Sequence, residues 1–318
     1  MFNRDNYNRV TEAFAKKRSD ARDASDARLY EVYSLDSRIK NIDDQLALTG
    51  VRIFEQTVRG KENLDARLDQ IRKESESLRL ERKELLEKLS LPEDYTDIHY
   101  ECPVCRDSGS VGFSMCSCFK RALIEEGYKS SGIARLMKTQ SFESFDLSYF
   151  EGDAKRQAMT NLQKCRNYAE NFGTDDCKHL ILRGNTGLGK THLSTSIAKV
   201  VVEKGYDVVY ESAQNIFNAF ENERFRHDAS ANTARFFECD LLICDDLGTE
   251  MSTQFTVSAL YNLINTRVNS ERATIINTNL SFAELQSRYT DRIFSRMLGE
   301  FSIIEFLGKD IRLQKLTR

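Results

Sequence analysis

Residues 184–191 read Gly184-Asn185-Thr186-Gly187-Leu188-Gly189-Lys190-Thr191, with His192 next, and this run matches G-x-x-x-x-G-K-[ST] in full. Such a loop works only where a strand enters it and a helix leaves it. The glycines let backbone N–H groups turn toward phosphate, and the helix N-terminus adds partial positive charge. The flanking sequence fits, with an apolar run before the loop and a helical pattern after it. Lys190 is expected to neutralise the β- and γ-phosphates of a nucleotide, and the Thr191 hydroxyl to take part in a Mg²⁺ shell, because hard cations take oxygen ligands.

From about residue 140 onward, short β-rich runs alternate with helical stretches, which predicts an α/β domain with a five-stranded parallel sheet. The candidate strands are 178–184, 207–213, 240–246, 273–280 and 301–307. The fourth is expected beside the second, with the P-loop strand lying centrally. About ten residues follow the last strand, so no C-terminal DNA-reading or lid domain is expected. The third strand ends Cys244-Asp245-Asp246. Two carboxylates on an apolar strand tip suit a magnesium site, with Asp245 for Mg²⁺ and Asp246 placed to polarise an attacking water. Asn279 closes the fourth strand, where an Asn is also an ordinary turn or cap residue. Arg292 and Arg296 stand four apart on one predicted helical face. Two readings fit them, a solvated surface pair or an arginine reaching a neighbouring subunit's nucleotide.

The total charge excludes little by itself, since 46 Lys and Arg face 49 Asp and Glu. A net charge of -3 gives no global attraction to nucleic acid or to a membrane, so any DNA contact must come from a local patch. The first residues lack a signal-type apolar segment, and no stretch approaches the roughly 18 apolar residues of a membrane helix, which predicts a cytoplasmic protein. Residues 1–91 hold 19 Lys and Arg against 18 Asp and Glu. Leu35, Ile39, Ile42 and Leu46, then Leu64, Leu68, Ile71, Leu78, Leu85 and Leu89, repeat at helical spacing, with Ser75 and Arg82 at skipped seam positions. Leu48-Thr49-Gly50 offers a turn. A self-packed helix pair and a partner-binding coiled coil both satisfy this pattern.

The chain has only two prolines, Pro92 and Pro103, and they mark a change of character. Cys102-x-x-Cys105 is followed by Cys116-x-Cys118, and four thiolates at this spacing predict a structural tetrahedral Zn²⁺ with no open position. An iron–sulfur cluster or a redox pair are the alternatives. Lys120, Arg121 and Lys129 follow, either as a solvated helix face or as a DNA contact. Cys165, Cys177, Cys239 and Cys244 have no ligand spacing and are read as packing residues. The expected organisation is 1–91 helical, 92–138 zinc segment and linker, and 139–318 ATPase.

With these motifs together, residues 139–313 resemble the bacterial replicative helicase loaders of the DnaC type and the related transposition-helper ATPases, both of the AAA+ kind. The stretches that carry the resemblance are TQSFESF, GNTGLGKTHL, CDLLICDDLGTE, TIINTNL, DRIFSRM and GKDIRL. It implies ATP rather than GTP, slow hydrolysis to ADP and phosphate, and a Glu more usual than Asp246. It implies Asn279 near the γ-phosphate, Arg296 as a trans finger, Arg292 as an accessory and Arg312 as a second sensing position. It also implies a homo-oligomer with ATP at subunit interfaces, and an insertion over 215–237 that grips single-stranded DNA. Phe217, Phe220, Arg224, Phe225, Arg226 and Arg235 stand there, and such phenylalanines fit either base stacking or a core. By the same resemblance, residues 1–91 bind a hexameric replicative helicase. A transposition helper on duplex DNA and a zinc adaptor with a structural nucleotide site are the competing functions.

Overall fold

The structure is a computed structural model and describes residues 3–58, 63–174, 179–226 and 233–316. The chain divides into two compact units, Met1–Val10 with Ser117–Arg318, and Thr11–Cys116.

In the Thr11–Cys116 unit the helices are α1 (Arg4–Leu35, begun in the other unit), α2 (Ser37–Ala47), α3 (Thr49–Val58) and α4 (Leu64–Lys88). Asp36 ends α1 and caps α2 by accepting from the Arg38 backbone N at 2.8 Å. The turn expected at Leu48-Thr49-Gly50 is a break between α2 and α3. Both helices run antiparallel to α4, with Arg38 against Glu81, Asp43 against Arg82 and Arg52 against Glu74. Within this unit the helices therefore pack on themselves. Ile39, Ile42 and Ile71 are buried, whereas Leu35 is exposed. The two polar seam positions pair across the hairpin: Ser75 meets the Thr49 hydroxyl at 3.4 Å, and Arg82 reaches Asp43 at 2.7 Å. A hairpin of β1 (Ser110–Val111) and β2 (Ser114–Met115) closes the unit.

The larger unit holds α5 (Ser117–Ser130), α6 (Gly152–Glu170), β3 (His179–Arg183), α7 (Lys190–Glu203), β4 (Val208–Ser212), α8 (Ala213–Arg226) and α9 (Ala234–Glu238). It continues with β5 (Leu241–Leu247), α10 (Gln254–Asn269), β6 (Ala273–Thr278), α11 (Phe282–Glu300), β7 (Ser302–Glu305) and α12 (Ile311–Leu316). All five strands of the main sheet are parallel, in the order β4-β5-β6-β3-β7. The fourth of these strands, β6, therefore lies between the third and the P-loop strand, not beside the second as expected. The P-loop strand β3 is interior but second from one edge. Adjacency in a parallel sheet is set by where each crossover helix returns the chain, which strand composition does not encode.

Strand residues alternate between two cores, as a pleat requires. Leu180, Leu182, Ile243 and Ile304 pack with Leu193, Ile197 and Val201 of α7. Ile181, Leu242, Cys244 and Ile276 face the other side, with Phe217, Phe236, Leu260, Ile264 and Ile293. Cys165, Cys239 and Cys244 are buried in these cores, and Cys177 lies outside the described residues. Capping boxes start α10 (Thr253 with Thr256) and α11 (Ser281 with Glu284).

A buried arginine of α10 is held by carbonyl and hydroxyl oxygens. Arg267 is fully buried and donates to the Phe236 carbonyl at 2.8 Å, the Cys239 carbonyl at 3.1 Å and the Thr274 hydroxyl at 3.0 Å. Its guanidinium fork thus satisfies the carbonyls that end α9 and ties them to β6, which offsets the cost of desolvating the charge.

Candidate functional site

The loop 184–189 leaves the C-terminal end of β3 and enters α7, as the sequence requires. Gly187 and Gly189 take φ of 77° and 91°, the left-handed region where a side chain is strained. Space forbids one as well: a Cβ on Gly189 would stand 2.7 Å from the Phe145 ring, and one on Gly187 would overlap the Asp310 carboxylate. The Lys190 ammonium is buried and donates to the carbonyls of Gly184 at 2.6 Å and Asn185 at 2.8 Å, and to the Asn279 side-chain oxygen. Burial pushes Lys190 down to about 8, against the pull of Asp246 and Asp245.

β5 delivers the two carboxylates. Asp245 is buried, and its oxygens accept from the Thr191 hydroxyl at 3.2 Å, from the Asn277 amide at 2.7 Å and from the Tyr210 hydroxyl. Asn277 also donates to Ser194 at 2.8 Å. Asp246 is exposed and has φ of 54°, at a bulge in the β5–β6 pairing that turns its side chain out of the alternation and into the crevice. Partial desolvation within the crevice and the neighbouring Asp245 raise the Asp246 carboxyl above its ordinary value, opposed by Lys190 and Arg312.

A crevice of about 390 Å³ opens over the loop, lined by 186–192, Asp246, Asn279 and Arg312. Thr139, Gln140, Ser144, Phe145 and Tyr149 form its other wall, with Ile311 and Lys315 of α12. α12 is held there by the Ile311 backbone N, which donates to the Gly187 carbonyl at 3.0 Å. The wall is fixed to α7 through His192, whose Nε2 lies 2.8 Å from the Ser141 carbonyl and whose ring meets Phe145 edge-on. Burial lowers His192 below its ordinary value. Thr191 and Asp245 supply hard oxygen donors side by side, which fits Mg²⁺, and the glycine loop with Lys190 fits a polyphosphate.

Arg292 and Arg296 line a different surface, with Tyr261, Asp291, Ser295, Gly299 and Glu300, away from their own crevice. Arg296 also donates to the Asn269 side chain at 2.8 Å. In the insertion, Phe217 and Phe236 are buried and Phe220 packs against Phe236 and Phe237 at centroid distances of 5.7 Å. These rings belong to the core. Arg224 lies over Phe255 at 5.3 Å and Arg235 pairs with Glu211 at 3.4 Å, while the Phe225 and Arg226 side chains lie outside the described residues. Lys120 and Arg121 are exposed, and Lys129 is paired with Glu126. Sequence reasoning missed Tyr210, Asn277 and Ser194. Of these only Asn277 carried a signal, as a polar residue at the end of an apolar strand, two before Asn279.

Within the Thr11–Cys116 unit the thiols of Cys102, Cys105 and Cys116 lie within 4.8 Å of one another, and Cys118 follows Cys116 two residues on in the chain. A tetrahedron of Zn–S bonds of about 2.3 Å has edges of roughly 3.8 Å, and the Cys102 and Cys116 Sγ atoms stand 3.9 Å apart. The buried Asp107 carboxylate holds the first ligand turn by accepting from the Glu101 and Cys102 backbone N–H groups, each at 2.9 Å. The donor set fits zinc.

A glycine loop, a lysine and a strand-tip carboxylate converging at the C-terminal ends of parallel strands define the class: a P-loop ATPase of the AAA+ kind. The family model described as IstB-like ATP binding protein matches residues 127–317, more than half of the chain, and the chain belongs to that family. The replicative helicase loader DnaC of Escherichia coli (strain K12) is 24% identical over 196 residues, covering 60% of this chain and 77% of that protein. An insertion sequence IS232 putative ATP-binding protein of Bacillus thuringiensis subsp. berliner is 21% identical over 169 residues, covering 52% of this chain and 67% of that protein. A crystal structure of the DnaC helicase loader superposes with a TM-score of 0.48 at 21% identity, covering 54% of this chain and 99% of that one. Among the described residues no helix is long and apolar enough to cross a membrane.

Two outcomes are expected. Phosphate contact favours charged Lys190, so above pH 8, where the free protein has lost that proton, nucleotide binding must take one up. Affinity should then fall by up to about tenfold per pH unit, and a fluorescent-nucleotide titration that stays flat from pH 7 to 9.5 would contradict this. Metal analysis of freshly purified, unchelated protein should return about one zinc per chain, reduced to near zero in Cys105→Ser. Wild-type protein with much less than one would remove the zinc assignment.

Proposed function

We propose that this protein is a cytoplasmic, ATP-dependent loader of a hexameric replicative DNA helicase. Residues 1–91 engage the helicase, residues 92–138 carry a structural zinc and a linker, and residues 139–318 form the ATPase. The observation that carries this reading is the complete set of Lys190, Thr191, Asp245 and Asp246 around one crevice, in a chain similar to a helicase loader over 77% of that relative's length.

Lys190 and the loop amides hold the β- and γ-phosphates. Thr191 and Asp245 hold Mg²⁺, which when bound neutralises phosphate charge. Asp246, whose raised carboxyl suits a group that accepts a proton, takes a proton from a water whose oxygen bonds to the γ-phosphorus as the bond from that phosphorus to the β–γ bridging oxygen breaks, leaving ADP and phosphate. Asn279 orients the γ-phosphate, and Arg312 senses the nucleotide from α12. Arg296, with Arg292 beside it, reaches the crevice of a neighbouring copy in a homo-oligomer. The placement of both arginines on a surface separate from their own crevice supports this trans role. With Phe217 and Phe236 in the core, contact with single-stranded DNA falls to cations of the insertion such as Arg224 and Arg235.

A second reading, an ATPase partner of a transposase on duplex DNA, is favoured by the similarity to an insertion-sequence ATP-binding protein. Full-length protein used as bait in an extract of its source cell separates the two. Recovery of a hexameric replicative helicase supports the loader, and recovery of a transposase without helicase overturns it.

A further inference from the structure

Glu250 stands four residues beyond Asp246 and is buried. One carboxylate oxygen accepts from the Gly248 backbone N at 2.8 Å, and the other accepts from the Tyr289 hydroxyl. Arg288 approaches the same carboxylate at 3.5 Å and donates to the Glu250 carbonyl. At the other end of this short loop the Thr249 backbone N and hydroxyl both donate to the Asp246 carbonyl, at 3.2 and 2.9 Å. The segment from Asp246 to Glu250 is thus closed on itself and fastened to α11.

The fastening falls at a special place on that helix. Tyr289 is fully buried, and the residue after it, Thr290, has φ 72° and ψ 154°, interrupting α11. That region is essentially reserved for glycine, and a β-branched residue stays there only when its surroundings hold it. The turns beyond the break carry Arg292 and Arg296.

We propose that Glu250 and Tyr289 are positioning residues: their buried contact holds the break at Thr290 and so fixes how Arg292 and Arg296 are presented to a neighbouring copy of the chain. The clamp also makes the loop after Asp246 and the arginine-bearing turns one mechanical piece, so a shift at Asp246 on hydrolysis moves the arginines offered to the next subunit. Burial pushes the Tyr289 hydroxyl upward, which keeps its proton on the oxygen that donates to Glu250. The inference rests on the trans role proposed for Arg296.

Two full-length chains test it by complementation. An Asp246→Asn chain can donate Arg296 but lacks the water-orienting carboxylate, and an Arg296→Ala chain can hydrolyse but donates no finger. Mixing them should restore turnover. Failure to restore it would overturn the trans role itself. With turnover restored, Tyr289→Phe added to the donor should lower kcat by about tenfold with KM unchanged, and added to the acceptor should change little. Glu250→Gln in the donor, which keeps one acceptor oxygen, should cause a smaller loss in the same direction. Co-assembly of the labelled chains, followed by energy transfer, should be undiminished. Full turnover with the Tyr289→Phe donor would overturn the clamp. Loss of co-assembly, or equal loss from either position, would overturn it too by making the contact merely structural.

Discussion

The nucleotide site depends on the buried carboxylate of Asp245 being held in one orientation. A charge at a strand tip inside a low-dielectric core is tolerated only when its lone pairs are filled, and three neighbours from different strands and helices fill them. Tyr210 comes from β4, Asn277 from β6 and Thr191 from α7, so the sheet order itself assembles the set. Because β6 lies beside β5, Asn277 can reach Asp245, and it also donates to Ser194 of α7. The Thr191 hydroxyl and the Asp245 carboxylate are thereby preorganised as adjacent oxygen donors, and Asp246, turned out by the bulge, is left free to face the crevice.

The parts of this arrangement that were legible in the sequence are those that local chemistry forces. A loop that presents its amides to phosphate needs glycines at positive φ, and a strand buried on both faces reads as an apolar run, so the P-loop, the five strands and the paired aspartates could be placed by residue number. Strand order was not legible, because it depends on crossovers. Tyr210 was hidden for the same reason, since a tyrosine on a strand looks like packing until its neighbour is known. Arg267, Glu250 and Tyr289 are buried polar groups whose partners lie up to 39 residues away, and no short window signals such a pair. The aromatic insertion was ambiguous in principle. Phenylalanines at helical spacing suit a core or a row of stacked bases equally well, and here burial of Phe217 and Phe236 decides for the core.

The Thr11–Cys116 unit follows different physics. Its charged helices bury few side chains, and the polar seam positions Ser75 and Arg82 that look like defects in the heptad are satisfied by Thr49 and Asp43 across the hairpin. Such a unit has little apolar area to sustain it, and its three gathered thiols, Cys102, Cys105 and Cys116, with Asp107 bracing the turn, are a compact place for an ion to supply the difference. On α3, Val51, Ile53, Phe54 and Val58 are exposed within a unit otherwise rich in charge.

In the proposed role, ATP turnover at this crevice releases a bound helicase. The direct measurement is the fraction of hexameric replicative helicase retained on immobilised full-length protein after ATP is added, for the wild-type chain and for Asp246→Asn. Release from the wild type on the time scale of its ATP turnover is expected, with retention on Asp246→Asn, which still binds ATP. Equal release from both, or retention by both while the wild type hydrolyses ATP, would contradict it.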